Sequence, residues 1–202
     1  MGIYFLRHGF SQGNAGLPTP DHTLIELTEK GHAEAAAAAK DLPFVPEIIV
    51  CSPFLRTRQT AKPFLERFPE AKLLIMPELQ EFTYLSPGTC SNTTSAQRRP
   101  RVLAYWRRQD TAYIDGPGAE SFAGLVTRAR TALQKLRSLK GKNILAVSHA
   151  QFIRAALRIN SRPGLEPADY MRGFISLPQV GNCKLLELPP EGTASAYGCG
   201  WE

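Results

Sequence analysis

The sequence has few cysteines, no long apolar run and no secretion signal. Its 202 residues include four cysteines, which show no C-x-x-C spacing and are too few for a disulfide scaffold: Cys51, Cys90, Cys183 and Cys199. No apolar run reaches the roughly 18 residues of a membrane-spanning helix. The amino terminus lacks the basic-then-apolar layout of a secretion signal. We therefore expect a cytoplasmic protein with free thiols and no membrane partner.

The composition is that of a globular protein. Hydrophobic residues make up 43% of the chain and charged residues 21%, which argues against the disordered and fibrous classes. The length fits one domain over residues 1–202. The net charge of +6 at pH 7 favours anionic partners, either small phosphorylated molecules or nucleic acid. Charge alone does not choose between these two partners.

The first strand pattern ends in two groups that suit an anionic substrate. Residues 3–6 form a short apolar run, and Arg7 and His8 follow at its carboxyl end. Ligands of open α/β sheets lie outside the carboxyl ends of the strands, and Gly9 allows a sharp backbone turn there. An arginine fork fits phosphate or carboxylate, and an imidazole can be neutral and nucleophilic at pH 7. The pair is therefore a candidate site for chemistry on an anion.

Further strand patterns recur along the chain. Continuous or alternating apolar runs predict strands over residues 47–51, 72–76 and 143–149, with weaker candidates at 182–188 and 195–199. Helical patterns separate them, so the strands are expected to share one parallel sheet.

Three helix starts carry recognisable caps. We expect Thr28 to cap a helix through residues 33–39, and Ser52 to cap a helix with Pro53 at its first position. Ser121 should cap an amphipathic helix that Gly141 ends. A further helix is expected at about residues 150–159.

Two stretches without a sheet pattern lie beside the predicted strand ends. Residues 15–26 contain glycine and two prolines and predict a loop that could close over a ligand. Residues 83–118 are expected to form an insertion with one short helix at about 102–109. His22 and His32 are expected to be solvated, because neither has a partner at metal-ligand spacing.

The ends of other predicted strands carry groups that complement Arg7 and His8. Arg56, Glu81 and His149 each follow a strand pattern. Parallel strands of one sheet bring such ends together. Two arginines and a second histidine around an imidazole nucleophile would neutralise the non-bridging oxygens of a phosphoryl group, which is most of what phosphoryl transfer requires. A carboxylic acid near the leaving oxygen would supply the rest.

Five segments also match short motifs in a fixed order. Residues 6–14, LRHGFSQGN, fit R-H-G-x-[ST]-x-x-N, and residues 52–61, SPFLRTRQTA, fit S-x-x-x-R-x-x-Q-T-A. Residues 79–81 fit L-x-E, while 118–121 and 147–150 are near G-E-S and V-S-H-G. Five ordered segments are far more specific than any single motif. The chain thereby resembles the histidine phosphatase superfamily, the phosphoglycerate mutase-like enzymes.

This resemblance implies a fold and roles for the motif residues. The implied fold is a three-layer α/β/α sandwich with a mostly parallel central sheet. His8 would become phosphorylated, and Glu81 would protonate the leaving group. The side chains implied to bind the phosphoryl group are Arg7, Ser11, Asn14, Arg56 and His149. No metal or organic cofactor is expected from such a family.

Two positions depart from the family pattern. Ala150 stands in place of the usual glycine, and residues 82–85 lack the acidic, glycine-rich continuation common after L-x-E in many small phosphatases. The substrate is therefore not assigned by analogy.

Three functions remain open at this point. The first is a phosphomonoester hydrolase that acts on a small phosphorylated substrate through a phosphohistidine. The second is a phosphoglycerate-type phosphomutase, which retains the phosphoryl group for a second hydroxyl. The third, from another class, is a nucleic-acid-binding or scaffold protein that uses the basic residues between 98 and 108. Such a protein would not need the histidine and arginine set, so we do not expect nucleic acid as the partner. Monomer and homodimer both remain open.

The insertion is expected to influence substrate choice, because both of its ends adjoin the rim of the predicted site. Arg98, Arg99 and Arg101 could hold a second anionic group of the substrate, with Tyr105 and Trp106 as apolar walls. A solvated basic helix that only covers the sheet edge is an equally weighted alternative.

Overall fold

The centre of the molecule is a β-sheet. In the computed structural model, which describes residues 2–197, its strands are β1 Gly2–Arg7, β2 Ile48–Cys51, β3 Lys72–Ile75, β4 Asn143–Ser148 and β5 Leu185–Glu187. Their order across the sheet is β3-β2-β4-β1-β5. β1 to β4 run parallel, and β5 pairs antiparallel with β1 at one edge. The mostly parallel sheet expected from the sequence is confirmed.

Helices cover both faces of this sheet. Their bounds are α1 Glu29–Lys40, α2 Leu55–Arg67, α3 Pro87–Cys90, α4 Ser95–Arg108, α5 Phe122–Ser138, α6 Ala150–Ser161 and α7 Pro167–Met171, with 3₁₀ turns at Pro77–Leu79 and Phe174–Ser176. Helices α1 and α2 pack on one face, and α5, α6 and α7 pack on the other. The three layers of an α/β/α sandwich are therefore present.

The central strands are apolar on both sides. Ile49 and Leu145 pack with α1 and α2, whereas their neighbours Val50 and Ala146 pack with α5 and α6. This alternation follows from the period of a strand, in which successive side chains point to opposite faces. The continuous apolar runs in the sequence have this cause.

Two of the predicted helix caps are present. The Thr28 hydroxyl accepts a hydrogen bond from the N–H of Gly31, and the Ser121 hydroxyl accepts one from the N–H of Gly124. Each satisfies a backbone donor that has no partner within its own helix. The starts of α1 and α5 were therefore readable from the sequence.

The predicted start of α2 is wrong. The helix begins at Leu55 with Phe54 in the cap position, so Ser52 is not its cap and Pro53 lies outside it. The Ser52 hydroxyl does accept the N–H of Phe54, at 3.2 Å, but it also contacts His149, which directly follows the neighbouring strand β4. Ser52 therefore belongs to a side-chain network rather than to a simple helix start.

The segment 83–118 contains more helix than predicted. Helix α4 begins at Ser95, seven residues before the expected start, and a capping box between Thr94 and Gln97 closes its first turn. Pro100 lies inside the helix, where its missing N–H removes one hydrogen bond. The expected helix at about 102–109 began after this proline, but the capping box and the burial of the helix's inner face offset the lost bond.

The expectation that two aromatic residues of α4 form pocket walls is also wrong. Tyr105 and Trp106 are buried in the core. Trp106 stacks on Phe174 with a centroid separation of 5.5 Å and meets Phe122 edge-on at 6.1 Å. The two rings therefore fix α4 against α5 and the 3₁₀ turn at Phe174–Ser176, and they are not available to a ligand.

Of the two strands expected near the carboxyl terminus, one is present in the structure. The pattern at 182–188 corresponds to the shorter edge strand β5. The candidate at 195–199 forms no strand over 195–197, and its last two residues lie outside the described part of the chain. Across residues 2–197, no helix combines the length and apolarity that crossing a membrane requires.

Candidate active site

The ends of β1 and β4 bring two histidines together. The strands are neighbours, and their register sets Arg7 opposite Ser148, so the residues that follow each strand end side by side. The rings of His8 and His149 have centroids 5.2 Å apart at an angle of 61°. The sequence prediction that separate strand ends meet here is therefore correct in its geometry.

His8 is buried and fixed in one orientation. Its Nδ1–H donates to the carbonyl of Gly9 at 2.8 Å, and its Nε2 accepts the Nε–H of Arg56 at 3.2 Å. Burial first and then the Arg56 charge hold the pKa of His8 well below its ordinary value of 6.5. The ring is therefore neutral at pH 7, with a lone pair on Nε2, which is the form that can attack an electrophile.

Gly9 lets the chain turn directly beside this ring. A Cβ at this position would lie 2.5 Å from the carbonyl oxygen of Gly31, in the first turn of α1. The Gly9 N–H is bonded to the hydroxyl of Thr60 in α2 at 3.1 Å. The loop after β1 is thus held between α1 and α2, and these contacts fix the main chain on which the His8 side chain is carried.

Arg56 is a buried cation beside the nucleophile. It is the second residue of α2, only 7% exposed, and its Nη1 donates to the carbonyl of His22 at 2.8 Å. Burial lowers its pKa to about 10, so the side chain stays charged at neutral pH. Among residues 2–197 it forms no salt bridge within 4.0 Å. The negative charge of Glu81 raises the pKa of Arg56 only from a longer distance. Arg56 is therefore free to balance the charge of a bound anion.

Arg7 is oriented by the chain segment before β5. Its Nη1 donates to the carbonyl of Val180 at 2.6 Å, and its buried Nε has no hydrogen-bond partner in the described part of the chain. Burial lowers the pKa of Arg7, and Glu81 partly opposes this effect. A guanidinium with an unused donor is suited to a phosphate oxygen.

His149 is fully buried and has one free ring nitrogen. Its Nε2 lies 2.8 Å from the Ser52 hydroxyl, while Nδ1 has no partner within residues 2–197. Burial, followed by the Arg56 charge and by His8, holds the pKa of His149 well below 6.5. A buried polar atom without a partner is costly, so its position next to the nucleophile indicates a site for a bound oxygen.

Glu81 lies at the amino end of α6. Its Oε1 accepts the backbone N–H groups of Phe82 and Phe152, at 2.9 and 3.0 Å, and its Oε2 accepts that of Gln151 at 3.3 Å. The N–H groups of Gln151 and Phe152 have no partner within their own helix, so their bonds to Glu81 fix the orientation of its carboxyl group. Glu81 also lines the same cavity as Arg56.

Arg128 holds the segment that carries Glu81, and it was missed in the sequence. Its Nη1 donates to the carbonyls of Glu78 and Gln80, both at 2.8 Å, while Nε and Nη2 form a bidentate pair with Glu120 at 2.8 and 2.6 Å. The sequence offered Glu120 as a motif residue but no partner for it. The available signal was the opposite charge of Glu120 and Arg128, which lie eight residues apart, one before and one after the start of α5.

Ser11 and Asn14 bond to each other in the loop after β1. The N–H and the hydroxyl of Ser11 both lie 3.1 Å from Oδ1 of Asn14. Asn182, which sequence reasoning did not single out, donates its Nδ2 to the same oxygen at 3.2 Å and to the carbonyl of His8 at 2.9 Å. The two predicted residues are therefore near the nucleophile's main chain.

A cavity of about 810 Å³ opens beside Arg56 and Glu81. Its walls come from the loop 15–26 and from the segment 83–118. These two segments are joined where Ser91 Oγ donates to the carbonyl of Pro20 at 2.8 Å and Asn92 N–H donates to that of Thr19 at 2.9 Å. The loop thus lies over the site as expected.

The structure divides the arginines of the segment 83–118. Arg98 lines the cavity, and Thr93 and Ser95 hold its guanidinium. Arg101 is paired with Asp115, and Arg99 is exposed outside the cavity lining. Only the first of the three is therefore placed to meet a ligand in this cavity.

Of the two histidines expected to be solvated, only one is exposed to solvent. His32 is exposed, but His22 is half-buried and lines the cavity, with its ring edge-on to Phe54 at 5.3 Å. Burial lowers the pKa of His22. Its backbone contact with Arg56 could not be read from side-chain spacing.

No cluster of metal ligands is present in the described chain. Within residues 2–197, no group of three or more His, Cys, Asp or Glu side chains is arranged to hold a metal ion. The positive charge at the site comes from the two arginines.

Comparison with known proteins agrees with this geometry. The family model described as "Histidine phosphatase superfamily (branch 1)" matches residues 3–189. A mannitol-1-phosphatase of Eimeria tenella is 34% identical over an alignment of 157 positions, and the match covers 71% of this chain and 49% of that protein. The chain therefore matches only about half the length of this relative.

Two further relatives cover most of both chains. A 2,3-bisphosphoglycerate-dependent phosphoglycerate mutase 2 of Gloeobacter violaceus is 30% identical over an alignment of 170 positions, and the match covers 77% of this chain and 73% of that one. A mycobacterial glucosyl-3-phosphoglycerate phosphatase, solved with VO3, superposes with a TM-score of 0.72 at 25% identity and covers 92% of this chain and 90% of its own. Phosphatases and a mutase thus share this chain's fold and sequence pattern.

Proposed function

The chain belongs to the histidine phosphatase superfamily, and on this premise we propose that it is a phosphomonoester hydrolase that transfers the phosphoryl group through Nε2 of His8. The observation that carries the proposal is the state of His8. Its Nδ1–H is bonded to the Gly9 carbonyl, so the lone pair is on Nε2, beside Arg56. A neutral imidazole with its lone pair next to a buried cation is arranged to attack a phosphorus atom.

The first half-reaction forms a nitrogen–phosphorus bond. Nε2 of His8 attacks the phosphorus, the bond from phosphorus to the ester oxygen breaks, and Glu81 gives a proton to the departing oxygen. Arg7 and Arg56 balance the charge on the non-bridging oxygens, and Nδ1–H of His149 donates to one of them when the ring carries its proton there. Asn14 is proposed as a further contact to the phosphate, and Ser11, whose N–H and hydroxyl both donate to Oδ1 of Asn14, as the residue that supports it.

The second half-reaction returns the enzyme to its starting state. A water molecule attacks the phosphorus, the nitrogen–phosphorus bond breaks, and Glu81 takes the proton that the water loses. Inorganic phosphate and the alcohol are the products. The enzyme ends with His8 neutral and Glu81 protonated, as at the start of the next cycle.

A phosphomutase is the second candidate, because the Gloeobacter violaceus relative is named as one. It differs from a hydrolase in that a second hydroxyl replaces water. A nucleic-acid or scaffold role is weaker, because Tyr105 and Trp106 are buried in the core and cannot stack on bases.

We expect the purified chain to release phosphate from a panel of phosphate monoesters and to keep this activity in EDTA. The positive charge of the arginines would do the work that a metal ion does elsewhere. Vanadate, which mimics five-coordinate phosphorus, should inhibit. Phosphate release assays, with 3-phosphoglycerate isomerisation measured alongside, check this. Isomerisation without net phosphate release would favour the mutase, and activity lost in EDTA but restored by a divalent ion would contradict metal independence.

Substrate choice is expected to depend on Arg98. We expect Arg98→Ala to raise KM about tenfold for substrates with a second anionic group, because one charge-assisted contact is lost. Hydrolysis of p-nitrophenyl phosphate should change little, since it has no such group. Steady-state kinetics on paired substrates, such as 3-phosphoglycerate and glycerol 3-phosphate, check this.

The matched control is Arg99→Ala, because Arg99 is the adjacent arginine on the same helix and lies outside the cavity lining. It should leave both substrates unchanged. Equal kinetics for Arg98→Ala and Arg99→Ala on every substrate would mean that the segment only covers the sheet.

A further inference from the structure

The two ends of the Asn14 amide have different surroundings. Its Oδ1 accepts three hydrogen bonds: the N–H and the hydroxyl of Ser11, each at 3.1 Å, and Nδ2 of Asn182 at 3.2 Å. Its Nδ2 donates to no other group within residues 2–197. The oxygen is therefore held in place, and the NH₂ group is left free to donate to a ligand.

Asn182 reaches both the nucleophile and Asn14. Its Nδ2 donates to the carbonyl of His8 at 2.9 Å as well as to Oδ1 of Asn14. An NH₂ group has two hydrogens, so both bonds can be made at once. The side chain thus joins the main chain of His8 to the amide of the loop that follows it.

The main chain around Asn182 is itself fixed against β1. The N–H of Cys183 donates to the carbonyl of Arg7 at 3.0 Å, and the N–H of Arg7 donates to the carbonyl of Lys184 at 3.3 Å. Cys183 has a φ of 50°, in the left-handed region that a non-glycine residue adopts only when its surroundings hold it there. The side chain of Asn182 is therefore presented from a constrained turn.

We propose that Asn182 is a positioning residue of the phosphate site, which holds the Asn14 amide with its NH₂ toward the phosphoryl group. A reversed amide would present an oxygen lone pair to the phosphate oxygens, which repels them, whereas the NH₂ group attracts them. This inference rests on the proposed function, since it takes Asn14 as a phosphate contact.

The test is a double-mutant cycle with phosphate binding as the readout. Asn182→Ala should raise the inhibition constants of inorganic phosphate and vanadate about tenfold, because one oriented donor is lost. KM for p-nitrophenyl phosphate should rise with them, and kcat should change less. In Asn14→Ala, adding Asn182→Ala should cause little further loss, because the residue then has no amide to orient.

Asn143→Ala is the matched control. Asn143 also donates its side-chain amide to a backbone carbonyl, that of Val45, but at the amino end of β4, away from the site. It should leave the constants unchanged. Independent, additive effects of Asn14→Ala and Asn182→Ala would overturn the proposal, and so would unchanged phosphate inhibition in Asn182→Ala.

The outcome is separable from that of the proposed function. If the wild-type chain hydrolyses no phosphomonoester, the proposed function fails, while phosphate and vanadate binding followed by thermal shift still tests Asn182. If the wild type is active and Asn182→Ala only lowers the melting temperature, with phosphate affinity intact, Asn182 is structural and the proposal is wrong.

Discussion

Replacing His8 by alanine should lower the turnover of phosphomonoesters by at least about 10³-fold, because an enzyme without its nucleophile keeps only binding and electrostatic stabilisation. Wild-type enzyme mixed with a ³²P-labelled substrate and quenched should carry acid-labile, base-stable label on the peptide that contains His8. The variant should carry none. Rapid-quench labelling with peptide mapping, together with steady-state turnover, checks the result.

The depressed pKa of His8 adds a pH dependence to this labelling. Burial and Arg56 hold that pKa well below 6.5, so with p-nitrophenyl phosphate, whose leaving group needs little protonation by Glu81, lowering the pH from 8 to about 6 should leave the ring unprotonated and the labelling rate unchanged. An exposed histidine would already be about half protonated near pH 6.5. A labelling rate that halves near pH 6.5 would contradict the burial of the nucleophile.

His32→Ala is a suitable control for the His8 experiment. His32 is an exposed histidine in α1, outside the site, so its loss should change neither turnover nor labelling. Near wild-type turnover in His8→Ala would remove the central claim. Label found on the peptide of His149 instead would transfer the nucleophile's role to the second histidine.

The sheet and most of its helices could be predicted because their signals are local. An apolar run bounded by glycine predicts β1. A threonine or serine directly before a helical pattern predicts the starts of α1 and α5, where its hydroxyl accepts the backbone N–H three residues further on. The strand ends then place Arg7, His8 and His149 together, since parallel neighbours in one sheet share an edge. Local pattern and sheet topology agree at these positions.

The errors come from contacts that a local pattern does not contain. The helix of segment 83–118 was expected to begin at about residue 102, but with its inner face buried it begins at Ser95 and continues through Pro100. Trp106 lies among arginines in sequence and was expected to form a wall of the substrate pocket, but Phe174, nearly 70 residues further on, covers it. Asn182 and Arg128 reach their partners through the fold, so their roles could not be predicted from spacing along the chain.

Glu81→Gln should lower the turnover of alkyl phosphates by about 10²–10⁴-fold and that of p-nitrophenyl phosphate much less. An alkoxide leaves only with a proton, which glutamine cannot supply, whereas p-nitrophenolate is a stable leaving group. The glutamine oxygen can still accept the N–H groups of Phe82 and Phe152, so the helix end should stay formed. Steady-state kinetics on the two substrate classes, with urea unfolding of both proteins, check the prediction.

Glu81→Ala separates the chemical role of the carboxyl from its structural one. Alanine also supplies no proton, so its kinetic loss on alkyl phosphates should match that of glutamine, but it leaves the N–H groups of Phe82, Gln151 and Phe152 without an acceptor. We therefore expect it to be less stable than Glu81→Gln by about 1 kcal/mol, as for the loss of a helix cap. Equal losses on alkyl and p-nitrophenyl phosphates in both variants would mean that Glu81 only organises the amino end of α6, and that the leaving group takes its proton from another source.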